Sequence, residues 1–163
     1  MTSSPLDNLV KIGKLKAEPP AQAEFNGLVR SGLVRLRDAE NAGLSLESRF
    51  DLAYNAAHAL SLAALRWHGY RSDNRYLVFQ CLTHTLALET AQWRVLDQAH
   101  NKRNLAENEG DLDVDDALVE ALIRVRKQLP NAFKRLGRWR RADSSFPVDD
   151  STLRLTSGNP EKR

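Results

Sequence analysis

An all-α, single-domain antiparallel bundle of about five to six helices is what this chain predicts, on three observations. Apolar residues recur at steps of three and four over long stretches, most clearly at Leu46, Phe50, Ala53, Ala57, Leu60, Ala64 and Trp67, which is the stripe of a helix packed on one side. Proline and glycine fall between these stretches, at Pro19-Pro20, Gly43 and Gly69, where they stop one helix and free the chain for the next. No stretch alternates apolar and polar residues for long enough to read as a strand.

In order, residues 6–16 place Leu9, Ile12 and Leu15 three apart, a short helix with lysines on its other side. Pro19-Pro20 ends it, because proline has no N–H and disfavours helix in the residue before it. Pro20 then suits the first turn of a second helix reaching about Asn41, with Phe25, Leu28, Val29, Gly32, Leu33 and Leu36 inward and Gly43 as its C-terminal cap. Ser45 caps the third helix, which ends near Trp67 or His68 and forms the centre of the core. Asp73 or Asn74 starts a fourth helix carrying Tyr76, Phe79, Leu82 and Leu86. After a break near Thr85–Leu88 the pattern resumes through Ala91, Val95, Leu96 and Ala99. A last helix covers about Val114 to Leu136, with Pro130 kinking it or opening a separate final turn. The domain organisation is thus an N-terminal helix and linker at 1–19, a bundle at 20–141 and a flexible tail at 142–163.

Composition narrows the classes of function. The 42% hydrophobic content supports a core, and the net charge of +3 permits a nucleic-acid partner without requiring one. A lone cysteine, Cys81, excludes an internal disulfide framework and a multi-cysteine zinc site. The absence of a leader pattern and of a long apolar run predicts a cytoplasmic chain with no membrane contact. His58, His68, His84 and His100 include no pair at i, i+4, no phosphate-binding glycine loop is present, and neither metal nor cofactor is called for. His58 reads as a core-edge residue, and His68 and His84 as groups near helix ends. Asp111, Asp113 and Asp115 suggest a calcium loop, but Asp116 and Leu122 stand where glycine and a bidentate glutamate are needed. Negative charge favouring a helix N-terminus explains that run better.

Polar residues able to do chemistry concentrate at His100–Gly110. If the helix extends that far, His100, Arg103, Asn104 and Glu107 share one face by their i, i+3, i+4 spacing. The segment resembles the HEPN superfamily of small helical nucleotide-binding domains. The likeness also takes in Ser48–His58 and Tyr76–Gln80, and covers roughly residues 20–136. It implies a dimer with its polar motif at the dimer groove, and, in many members, a metal-independent ribonuclease in a toxin–antitoxin or defence system. In such a motif an arginine holds the scissile phosphate, a polar residue follows, and a histidine moves protons four to six residues later. Arg103 and Asn104 match the first part. The histidine positions hold Asn108, Glu109 and Gly110.

Carboxamide and glycine cannot shuttle a proton near neutral pH, so the expected function is binding by a catalytically impaired HEPN-like module. Its groove, lined by Arg103, Asn104 and His100, would contact RNA, a nucleotide, an antitoxin or another protein partner, as a homodimer. One alternative is a ribonuclease using Arg103 with His100 brought near by a helical turn. Another is a nucleic-acid-binding regulator using the basic stretch Arg124, Arg126, Lys134, Arg135, Arg138, Trp139 and Arg140, in which the indole stacks on a base. A purely structural role for Arg103, Asn104 and Glu107, as a polar network fixing the turn into the last helix, is the plainest reading of the same residues.

Overall fold

The computed structural model describes residues 4–110 and 112–140, the last helix turns (134–140) and Pro130 by their backbone alone. The tail at 142–163 lies outside the described residues. The elements are α1 (Pro5–Lys11), β1 (Lys16–Ala17), α2 (Gln22–Ala39), α3 (Leu46–Trp67), β2 (Tyr70–Arg71), α4 (Arg75–Gln80), α5 (Leu82–Thr85), α6 (Thr90–Glu109) and α7 (Asp116–Arg140). The architecture is the predicted all-α bundle, with β1 and β2 as a two-residue antiparallel ladder pairing Lys16 with Arg71 and Ala17 with Tyr70. Two residues are too few for alternation to register in a sequence.

α3 is the central helix. Of the stripe read from the sequence, Phe50, Ala53, Ala57, Leu60 and Ala64 are fully buried, Trp67 is buried and Leu46 half-buried, and Tyr54, Ala56, Ala63 and Leu65 are buried beside them. Its start is set by Ser45, whose hydroxyl accepts from the Ser48 N–H at 3.1 Å. α2 packs antiparallel along it, and the two approach closely at Gly32. A Cβ there would sit 2.7 Å from Leu60 Cγ, so only glycine fits without moving a core leucine. α7 crosses α3 with Val119, Leu122, Ile123, Val125, Leu129 and Phe133 buried.

Several boundaries differ from expectation for local reasons. α1 stops at Lys11 because Gly13 takes φ +74°, yet Leu15 still reaches the interior through the turn. Leu6, Leu9, Val10 and Leu15 form with Leu65, Val78 and Cys81 a small apolar cluster apart from the main core. α2 begins at Gln22 rather than with Pro20 in its first turn, since Ala21 is extended and the Pro19 carbonyl is engaged by Arg66 at 2.8 Å. It ends at Ala39, and Gly43 sits instead in a turn where its N–H donates to Asn41 Oδ1. Asn74 caps α4, accepting from the Leu77 N–H at 3.0 Å. α7 starts at Asp116, with Asp115 Oδ1 accepting from the Leu118 N–H at 2.8 Å, and its backbone runs through position 130 to Arg140. Asp115 and Asp116 therefore stand at a helix start, as their charge predicts.

The break between α5 and α6 contains Ala87 at φ +52°, a left-handed conformation costing a residue with a Cβ about 1–2 kcal/mol. Glycine removes that cost and adds about 0.5–1 kcal/mol of chain entropy. Ala87→Gly is thus expected to raise the unfolding free energy by about 0.5–1 kcal/mol. Thermal unfolding checks it, and an unchanged or lower midpoint would count against strain at this position.

Candidate functional site

Three helices bring one polar face together. α6 is started by a reciprocal capping box between Glu89 and Gln92 and stopped by Gly110 at φ +75°. Within it His100, Arg103, Asn104 and Glu107 share a face, as their spacing requires. α3 contributes Asp51, Tyr54 and His58 at steps of three and four, and α4 contributes Arg75, Tyr76 and Phe79.

His100 is half-buried and engaged at both ring nitrogens. Its Nδ1 lies 3.0 Å from Tyr54 Oη and its Nε2 lies 3.1 Å from Asn104 Nδ2. With the Asn104 amide donating to Nε2, the single proton of the neutral ring sits on Nδ1 and is donated to Tyr54 Oη. The imidazole stacks on Tyr54, tilts against Tyr76 with centroids 5.0 Å apart, and meets the edge of Phe79. Burial holds its pKa below the ordinary histidine value, and Arg75 adds to that effect while Asp97 and Glu107 oppose it. At neutral pH the ring is uncharged.

Arg103 is tied as firmly. Its Nη1 donates to Asp51 at 2.9 Å and its Nε to Glu107 at 3.2 Å, and the guanidinium lies 4.9 Å from the Tyr54 ring centroid. Arg103 thereby links α6 to α3, which a network confined to the turn into α7 would not do. Asp97 accepts from the Tyr76 hydroxyl at 3.0 Å, and Tyr76 packs on Trp93.

Arg75 belongs to this face and escaped the sequence reading. It is exposed, makes no ion pair among the described residues, and lies 5.8 Å from the Tyr54 centroid. Its charge acts on two imidazoles: His58, pushed down to about 4 by burial and then by Arg75, and His100. Nothing local marks it, because the partners lie far away in sequence. Arg75→Met is accordingly expected to raise the pKa of both His58 and His100, read from imidazole proton shifts in an NMR titration. Unmoved titrations would show that burial alone keeps the rings neutral.

Of the predicted basic stretch, the structure describes the side chains of Arg124 and Arg126. Arg126 is fully buried, donating to the carbonyls of Leu122 at 3.2 Å and Ala53 at 3.1 Å. It cannot reach a phosphate, and its assignment to a nucleic-acid surface is corrected: position 126 falls on the inward stripe of α7. Arg124 is exposed, and the neighbouring Lys127 pairs with Glu40 at 3.3 Å. The side chains of Lys134, Arg135, Arg138, Trp139 and Arg140 lie outside the described residues. Asn108, Glu109 and Gly110 are exposed at the end of α6.

Among the described residues no cluster of three or more His, Cys, Asp or Glu is placed to hold a metal ion, and no helix is long and apolar enough to cross a membrane. Compared with protein-family models, with curated proteins and with solved structures, the chain matches none of them.

Proposed function

We propose that this chain is a HEPN-like helical binding module, catalytically impaired, acting through its α3–α4–α6 face in a toxin–antitoxin or defence-type setting. The observation that carries the reading is the setting of His100: packed among three aromatic rings, with both nitrogens already engaged. A general base or acid needs a ring nitrogen within reach of the proton it moves, and here both are spent on Tyr54 and Asn104. Arg103, which would have to neutralise a phosphate, is neutralised by Asp51 and Glu107 instead.

The favoured partner is a polypeptide, a second copy or an antitoxin-like protein. Two arginines, Arg75 and Arg103, share the face with Asp51, Asp97 and Glu107, so both signs of charge are present beside half-buried Tyr76 and Trp93. Mixed charge around aromatic residues suits a protein interface, whereas nucleic-acid binding rests on a surplus of positive charge.

Incubation of the full chain with labelled single-stranded RNA tests this directly. The expected result is no cleavage at any protein concentration. Cleavage abolished by both Arg103→Ala and His100→Ala would replace the proposal with a metal-independent ribonuclease. Light scattering provides the second arm. A dimer that weakens in Arg103→Ala supports the protein-contact reading, and salt-dependent RNA binding at this face would move the partner to RNA.

A further inference from the structure

α6 has a second functional side. Gln98, Asn101, Lys102 and Leu105 recur at steps of three and four, on the helix face opposite His100, Arg103, Asn104 and Glu107. That face opens onto a cavity of about 420 Å³ between α6 and the start of α7, a volume within the range of sites for small organic molecules. Its apolar wall is built from Leu105, Leu118 and Ala121. Leu105 is 49% exposed and Leu118 half-buried, so apolar surface stands open to a ligand here. The charged lining is Lys102, Asp113 and Asp115. Lys102 Nζ lies 3.7 Å from Asp113 Oδ2, and Asp115 Oδ1 accepts from the Leu118 N–H at 2.8 Å. Asp113 Oδ1 and Asp115 Oδ2 are left unengaged among the described residues, and the lining carries one negative charge in excess.

We propose that this cavity binds a small amphipathic amine, its apolar body against Leu105, Leu118 and Ala121 and its ammonium at the carboxylates of Asp113 and Asp115. An ammonium brings three donors and no acceptor. The two open carboxylate oxygens take two of them, and the carboxamide oxygens of Gln98 and Asn101, which line the same cavity, are acceptors for the third. An anion in this place would face both aspartates with Lys102 alone to hold it, and Lys102 is already paired. Burial of the apolar body supplies most of the affinity. Asp113 is an exposed group, so the charge contributes modestly and acts chiefly as a selector between ligands of one shape. The site lies across α6 from the polar face proposed above and uses none of its residues.

Three probes of nearly one shape test this on the full chain: phenethylamine, phenethyl alcohol and phenylacetate, which are cationic, neutral and anionic at neutral pH. Titrated at millimolar concentration and followed by NMR, the amine is expected to shift the side-chain amides of Gln98 and Asn101 and the methyls of Leu105. It should bind about three- to fivefold more tightly than the alcohol, the advantage of one exposed ion pair, with phenylacetate weakest. Added salt narrows the gap between amine and alcohol. Asp113→Asn brings the amine down to the level of the alcohol, and Leu105→Ala weakens both. Asp113 and Leu105 are exposed, so neither variant disturbs the core. Arg103→Ala leaves the titration unchanged while weakening the contact proposed for the polar face, which keeps the two proposals apart. Equal binding of amine and alcohol, or tighter binding of phenylacetate, would overturn the assignment of an amine. Absence of shifts at Gln98, Asn101 and Leu105 with all three probes would overturn the site itself.

Discussion

Arg66→Met is expected to lower the unfolding free energy by about 3 kcal/mol, the low end of what breaking a buried ion pair costs. Arg66 is among the most buried side chains of the molecule, at 2% exposure. Its guanidinium donates to Glu24 at 3.1 Å and to the carbonyls of Glu18 and Pro19 at 3.0 and 2.8 Å, and pairs with Glu18. It thereby closes the junction of the N-terminal arm, α2 and the end of α3. Methionine keeps much of the bulk, so the loss reads the polar network rather than a cavity. The cost stays at the low end because Arg71 still pairs with Glu24 and Glu18.

The same variant carries a pH signature. Burial pushes the Glu24 carboxyl up, but the hydrogen bonds from Arg71 and Arg66 outweigh it and leave its pKa below the ordinary 4.5. The unfolded chain then binds more protons in the window beneath 4.5, and stability rises with pH through that window. This contribution is present above it and lost as the pH falls through the lowered folded value. Arg66→Met should flatten that acid-side slope. Denaturant midpoints at neutral pH and near pH 4 check both parts, and a loss under about 1 kcal/mol would place Arg66 with ordinary surface pairs.

Arg126→Met is expected to act in the opposite direction, raising stability by about 1–4 kcal/mol, as when buried charges give way to apolar residues of similar volume. Arg126 is fully buried without a carboxylate in contact, and its Nη2 has no hydrogen-bond partner among the described residues. Burial pushes its pKa down to about 9, with Glu40 opposing from a distance. The sign is that of a base favoured neutral in the fold. Between about pH 9 and the much higher ordinary arginine value the unfolded chain holds the extra proton, so the original protein gains stability as pH rises there. The advantage of the methionine variant should be constant below pH 9 and narrow above it. A variant less stable than the original at neutral pH would mean that the two bonds to Leu122 and Ala53 outweigh desolvation.

Both predictions concern arginines that composition cannot tell apart from surface charge. Arg66 falls at the end of an apolar helix and Arg126 in a run of basic residues, where each reads as a solvated group. Burial of a guanidinium depends on carbonyls and carboxylates delivered by other elements: Glu18 and Pro19 for Arg66, Ala53 for Arg126. The candidate site divides along the same line. That His100, Arg103, Asn104 and Glu107 share a face followed from helical spacing, and the structure places them so. That His100 has no nitrogen to spare, that Asp51 reaches Arg103, and that Arg75 acts on both His58 and His100 did not follow.

By itself the sequence determined the fold class, the central place of α3, the cap at Ser45, a cap at Asp73 or Asn74, and the break before α6, because each is a local matter of periodicity, capping hydrogen bonds and permitted backbone angles. Only the tertiary structure decided which charges are buried, where the N-terminal arm rests, and how the groups around His100 are paired. Those depend on groups dozens of positions apart, as with Tyr54 and His100 at a separation of 46, or Arg49 and Glu120 at 71. A dielectric environment and a hydrogen-bond partner belong to a place in space, and one-dimensional spacing does not contain them.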